Sequence, residues 1–66
     1  MKQILSAREL EVLTLIAHGH KDREIAFVLK IEEYTVHFHT KNILAKLDVK
    51  NCAAAVYCAL KKGWIT

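Results

Sequence analysis

The sequence predicts an all-α fold in which four short helices pack into one compact domain. Apolar residues recur at three- and four-residue intervals along most of the chain, which is typical of helices with one buried face. Capping residues and glycines fall at the ends of these segments, and none of the 66 residues is proline. The predicted helices span residues 7–18, 22–29, 33–46 and 51–62 of a single domain, 1–66.

The first helix is predicted to begin after Ser6, because Ser6 and Glu9 have the S-x-x-E spacing of a capping box. Gly19 is predicted to end it, since glycine readily adopts the left-handed conformation found beyond many helix C-termini. Leu5 and Leu10 form a hydrophobic staple across the start. The inward face is predicted to comprise Leu10, Val12, Leu13, Ile16 and Ala17.

The second and third helices are predicted to form a helix-turn-helix, a unit whose second helix enters the DNA major groove. Ala26 supplies the small residue needed where the two helices cross. One face of the third helix is marked by Val36, Ile43 and Leu47. The second helix has the apolar face Ile25, Ala26, Val28 and Leu29, and the outer side of the third carries Tyr34, His37, Phe38, Lys41 and Ala45.

Charge and size restrict the class of protein. The formal net charge of +3 and the pI near 9.0 favour an acidic partner such as nucleic acid. A chain of this length buries only roughly 60% of its unfolded surface, which leaves no room for a deep substrate pocket. We therefore expect neither an enzyme nor a protein with a cofactor or a small-molecule substrate.

The cysteines indicate a reducing compartment. Cys52 and Cys58 lie six residues apart on the predicted fourth helix, so their side chains diverge and are expected to be free thiols. The longest apolar run, residues 52–60, has about half the length of a membrane-spanning helix, and the N-terminus lacks a signal-peptide pattern. We expect a cytoplasmic protein without a membrane partner.

The histidines are not expected to hold a metal ion. His37 and His39 are two residues apart on a helix and point about 200° away from each other, so they cannot share a metal. His39 falls on the face of Val36 and Ile43, and we predict that it is partly buried there. His37 lies on the outer face.

Five short motifs follow one another along nearly the whole chain. The sequence reads LSARE at residues 5–9, REIA at 23–26, TVHFH at 35–39, NILAKLDV at 42–49 and GWI at 63–65. In this order they resemble the L-T-x-R-E, K-E-I-A, T-V-x-x-H, N-I-x-x-K-L-x-V and G-L-I motifs of the LuxR/FixJ-type (GerE-like) DNA-binding domain of bacterial transcription regulators. The resemblance implies sequence-specific binding of double-stranded DNA and a dimer formed through the fourth helix.

The resemblance also implies that the outer face of the third helix reads base edges. His37, Phe38 and Lys41 match the family positions that do so, and Tyr34 on the same face is predicted to join them. Phe38 suits contact with a thymine methyl group, and Lys41 can donate to guanine O6 and N7. The family often has lysine or arginine at position 37, whereas histidine is shorter and mostly neutral at pH 7. The alternative is a plain solvated surface.

Phosphate contacts are predicted around this face. Thr35 offers a hydroxyl group near the free backbone N–H groups of a helix start. Two departures from the family pattern reduce the expected affinity: Glu32 replaces the usual serine or threonine cap, and Cys52 replaces a common arginine. Lys46 has an alternative structural role as a partner of Glu9. The other candidate phosphate contacts are Lys21, Arg23, Lys30, Asn42, Lys46 and Lys50.

The fourth helix is apolar on all sides over residues 52–60, which predicts a partner. By resemblance Ala55, Val56 and Ala59 face inward. A homodimer formed through the outer face would place two recognition helices about 34 Å apart, one turn of DNA. The alternatives are a solvated alanine-rich helix, or an interaction module that pairs with a regulator and binds DNA weakly or not at all. The predicted dimer interface is Ala54, Tyr57, Cys58 and Lys61.

Overall fold

The computed structural model describes residues 4–66, and this part of the chain contains four helices and no strand. The predicted all-α fold is confirmed. Each helix boundary lies within one residue of its predicted position. The helices are α1 (Ala7–Ala17), α2 (Asp22–Leu29), α3 (Glu33–Leu47) and α4 (Cys52–Lys61).

The predicted capping box of α1 is present, and α4 is also capped at its start. The Glu9 N–H donates to Ser6 Oγ at 3.1 Å, and the Ser6 N–H donates to Glu9 Oε1 at 2.9 Å, which completes the capping box. Asn51 Oδ1 accepts from the Ala54 N–H at 2.9 Å at the start of α4. Gly19 follows α1 with a φ of 91°, the left-handed backbone that favours glycine.

One core joins the four helices. α2 packs closely on α3, and α1 packs on α3 and α4. Ala26, nearly fully buried, allows the close approach of α2 to its neighbours. The outer side of α3 remains free of the core. The buried apolar residues are Leu5, Val12, Leu13, Ile25, Ala26, Val36, Ile43, Ala55, Ala59 and Ile65.

The prediction that Val28 belongs to the apolar face of α2 is wrong, because its side chain is 53% exposed. Ile25 and Ala26 are buried and Leu29 packs partly against the core. At 100° per residue, Val28 lies roughly 100° from the centre of the stripe that these three residues form. Because α2 has just eight residues, only a narrow stripe of its surface contacts the core.

The turn between α2 and α3 is closed by Lys30, which has a left-handed backbone with a φ of 59°. The Ile31 N–H donates to the Ala26 carbonyl at 3.0 Å, so the turn is tied back to α2. A lysine pays a steric cost in this conformation that glycine does not. The turn thereby sets the angle at which α3 leaves α2.

Candidate nucleic-acid interface

The outer face of α3 is exposed along three turns. Val36 and Ile43 are fully buried on the opposite side, which confirms the predicted division of this helix into two faces. The rings of Tyr34 and Phe38 are 75% and 60% exposed. The exposed residues on the outer face are Tyr34, His37, Phe38, Lys41 and Ala45.

His39, on the side of Val36 and Ile43, is half-buried, as predicted. Its ring meets the Phe38 ring edge-on, with centroids 6.0 Å apart and planes at 60°. Edge-to-face contacts of this kind are favourable for aromatic pairs. The partly buried His39 therefore supports the exposed Phe38 ring from one side.

The start of α3 has no side-chain cap. Glu32 occupies the cap position but its carboxylate makes no cap hydrogen bond, unlike Ser6 at α1 and Asn51 at α4. The first backbone N–H groups of a helix have no partner within the helix and attract anions. Thr35 is half-buried in this first turn. The helix start therefore offers hydrogen-bond donors, while the exposed carboxylate of Glu32 opposes an anion there.

Four cations of the predicted set lie at the start of α2, in the turn before α3 and in the loop after α3, and all are exposed. Within residues 4–66 none of the four is in an ion pair. Asn42 is half-buried. Two of the cations line an open depression of about 620 Å³ beside three carboxylates, so the charge there is mixed. The four are Lys21, Arg23, Lys30 and Lys50; the depression is lined by Lys21, Asp22, Arg23, Glu24 and Glu33.

Lys46 differs from these cations because it is bound to α1. Its Nζ donates to Glu9 Oε1 at 2.8 Å, and the Glu9 side chain is nearly buried. Burial raises the pKa of Glu9, but the hydrogen bonds from Lys46 and Ser6 and the charge of Lys46 outweigh it, so the pKa lies below its ordinary value. Of the two roles predicted for Lys46, the geometry favours the structural one.

Replacing Lys46 with methionine is expected to lower the free energy of unfolding by about 1–2 kcal/mol, because a nearly buried carboxylate loses its cationic partner. Since folding lowers the pKa of Glu9, the ion pair stabilises the fold above the unfolded pKa and is lost as the pH falls through the folded one. Urea unfolding from about pH 7 to about pH 3 measures both effects. An equally steep acid loss in Glu9→Gln would contradict this assignment.

The four predicted dimer residues on α4 line one open groove. Its volume is about 500 Å³, and its walls also include Val49 and Lys62. The Tyr57 ring is largely exposed, and Lys61 Nζ lies 5.7 Å from its centroid, a cation–π contact. Ala54 and Cys58 are half-buried in the groove. The fold therefore brings the four residues together on one surface.

Both cysteines are free thiols. Burial, together with the negative charge of Asp22, raises the pKa of Cys52, so it is protonated and poorly reactive near neutral pH. Within residues 4–66 no three His, Cys, Asp or Glu side chains are grouped so as to hold a metal ion. No described helix combines the length and apolar character that crossing a bilayer requires.

One exposed ring was not assigned a role from the sequence. Phe27 on α2 is almost fully exposed, and with Val28 it lines a depression of about 420 Å³. The sequence feature that indicates its exposure is its position in α2, because Phe27 lies outside the stripe formed by Ile25, Ala26 and Leu29.

The short helix α2 therefore packs across a longer helix, α3, whose far side presents two rings and a lysine beside an uncapped helix start and exposed cations. This arrangement defines a helix-turn-helix DNA-binding domain. A sequence profile described as bacterial regulatory proteins, luxR family, matches residues 3–59. The protein belongs to this family, and the resemblance inferred from its motifs is confirmed.

Individual relatives agree with this assignment. The transcriptional regulatory protein DegU of Brevibacillus brevis is 44% identical over 62 residues, which are 94% of this chain and 26% of DegU. The nitrate/nitrite response regulator protein NarP of Escherichia coli K12 is 42% identical over 59 residues, 89% of this chain and 27% of NarP. The chain thus spans about a quarter of the length of these curated relatives.

Solved structures confirm the fold. The transcription factor GerE superposes with a TM-score of 0.94 at 31% identity, over 98% of this chain and 97% of GerE. The response regulator ChrA of a heme-sensing two-component system gives a TM-score of 0.85 at 40% identity, over 94% of this chain and 31% of ChrA.

Proposed function

We propose that this domain binds a specific double-stranded DNA sequence as the DNA-binding part of a bacterial transcription regulator, with α3 in the major groove. The outer face of α3 carries the proposal. Tyr34 and Phe38 expose their rings beside Lys41 on a helix whose opposite side buries Val36 and Ile43. A groove-reading helix needs such a face, because base edges offer hydrogen-bonding groups and methyl groups to side chains that project from it.

Four residues of this face are proposed to contact base edges. Lys41 donates to guanine, and Phe38 and Tyr34 present apolar surface. His37 lies beside them and offers one shorter polar group. The role is one of binding and involves neither a catalytic step nor a cofactor.

The surrounding residues are proposed to hold the phosphate backbone. Thr35 and the uncapped N–H groups of α3 form one contact, and Asn42 borders the same face. Such contacts fix the position of the domain on the duplex and supply affinity rather than sequence choice. The cations proposed to join them are Lys21, Arg23, Lys30 and Lys50; Lys46 instead supports the fold through Glu9.

A homodimer is proposed to form through the groove on α4. The groove is walled by Val49, Ala54 and Cys58 and bordered by the exposed Tyr57 and Lys61. A face of this composition can bury its apolar part against a second copy of itself in a two-fold contact. Two copies would then present their α3 helices to successive major grooves on one side of the duplex.

Selection of random duplexes by the purified domain at two salt concentrations, followed by sequencing, tests the proposal. We expect an inverted repeat with half-sites about one helical turn apart. Lys41→Ala is expected to relax the preference at one base pair of each half-site by about 1–3 kcal/mol, whereas Lys46→Arg keeps the ion pair with Glu9 and leaves the selected sequence unchanged.

Other outcomes of this selection would support a different function. Salt-sensitive retention without any enriched sequence would indicate a basic surface that does not read bases. Absence of DNA binding would favour an interaction module that pairs with a regulator through α4. The exposed carboxylate of Glu32 at the start of α3 is the feature that favours this second function.

A further inference from the structure

The centre of the exposed face of α3 is mostly apolar. At 100° per residue, Tyr34, Phe38 and Ala45 lie within about 40° of one another around the helix axis. Lys41, a cation, lies about 20° from Tyr34 around the axis, and His37 lies about 60° from Tyr34. The side chains that project farthest along the centre are therefore two rings and one lysine.

Phe38 has no hydrogen-bonding group, and the ring of Tyr34 carries its hydroxyl only at the tip. The apolar group that base pairs present in the major groove is the C5-methyl group of thymine. A 5-methylcytosine carries the same group at the same ring position. The contact of Phe38 with the half-buried His39 supports the ring from one side, so that it is oriented before DNA arrives.

We propose that Tyr34 and Phe38 act as a pair that selects C5-methyl pyrimidines, so that each half-site contains two such bases on the same side of the base pair read by Lys41. This inference rests on the proposed DNA-binding function and specifies the class of sequence. The two rings would select the methylated base, because each ring loses favourable apolar contact opposite a base that lacks the methyl group.

The spacing of the two rings limits the spacing of the two bases. Four residues of α-helix rise about 6 Å, and base pairs along the duplex are about 3.4 Å apart, so with α3 inclined in the groove the two methyl groups lie about one to two base steps apart. Lys41 follows Phe38 by about 4.5 Å along the axis, which places its base pair roughly one step farther. The half-site is thus an ordered pattern with Tyr34, Phe38 and Lys41 in register.

Uracil scanning of the selected operator tests the inference, because replacing thymine with uracil removes the methyl group and leaves base pairing intact. At two positions about one to two steps apart, we expect uracil to weaken binding about fourfold each, the loss of one buried methyl contact. Phe38→Ala should abolish the uracil effect at one position and Tyr34→Ala at the other. Tyr34→Phe, which keeps the ring, should retain it.

A second comparison separates the two sources of the methyl group. At the same positions, 5-methylcytosine is compared with cytosine in otherwise identical duplexes. Tighter binding of the methylated base would support recognition of any C5-methyl pyrimidine, and a response to thymine alone would support the inference for thymine.

Equal binding of thymine and uracil at every position, in a duplex that is still selected, would overturn the inference while the proposed function stood. Selected half-sites without thymine, in which 5-methylcytosine has no effect either, would also overturn it. Absence of any selected sequence would instead reject the proposed function itself. Both rings are exposed, so circular dichroism is expected to show folded variants.

Discussion

Raising the salt concentration from about 50 mM to about 200 mM is expected to weaken binding of this domain to its operator by roughly four orders of magnitude. Each protein cation that neutralises a phosphate releases counterions, so log affinity falls linearly with log salt with a slope of about −0.9 per contact. Four exposed cations that have no ion pair within residues 4–66 are proposed to contact phosphates, hence eight in a dimer. The expected slope is about −7. The four are Lys21, Arg23, Lys30 and Lys50.

The same measurement distinguishes one bound copy from two. Tyr57→Asp places a charge in the groove of α4 and should separate the copies, which halves the slope to about −3.5. Tyr57→Phe keeps the ring and should leave the slope near −7. Fluorescence anisotropy with a labelled operator, titrated at several salt concentrations, gives all three values. A wild-type slope already near −3.5 would contradict binding as a dimer.

Lys46 provides an internal control for the slope. Its ammonium group donates to Glu9, so Lys46→Met should change the slope little although it lowers the stability. By contrast, Lys30→Ala removes one exposed cation from each copy and should reduce the slope by about 2 in a dimer. A large change of the slope in Lys46→Met would indicate that Lys46 contacts a phosphate.

Val36→Ala is expected to lower the free energy of unfolding by about 2–3 kcal/mol, because two fully buried methyl groups are lost and a cavity remains. A domain of this size has only about 3–10 kcal/mol of stability. The midpoint of thermal unfolding should therefore fall by about 10–20 °C. Val36 lies on the inner side of α3, so the variant should also lose operator binding at temperatures where the wild type is folded.

Val28→Ala is the matched control, since it removes the same two methyl groups from a half-exposed position on α2. Alanine is the better helix former, so this variant should be neutral or slightly more stable. The difference between the two substitutions isolates the effect of burial from that of helix propensity. Equal losses of stability, measured by thermal unfolding of both variants, would mean that Val28 belongs to the core after all.

Local chemistry explains why the helices could be predicted from the sequence. The start of α1 is defined by the capping box of Ser6 and Glu9, which lie three residues apart. Its end is defined by the left-handed backbone of Gly19. Asn51 caps the start of α4. Such signals act within a single turn, so they do not depend on the rest of the fold.

The faces of α2 were harder to predict, and the physical reason is packing. An apolar side chain is buried only where a partner lies opposite, and an eight-residue helix meets its neighbours along a narrow stripe. Val28 is apolar like its neighbours, yet its side chain is 53% exposed in the packed fold. Phe27, which lies outside this stripe, is likewise exposed.

The sequence by itself determined the helical segments, their caps, the two faces of α3 and the resemblance to a DNA-binding family, because these follow from periodicity and from short motifs in order. Only the tertiary structure decided that Lys46 is bound to Glu9, 37 residues away in the chain, and that the outer residues of α4 share a groove with Val49. Such relations depend on distances between helices, which periodicity within a single helix does not contain.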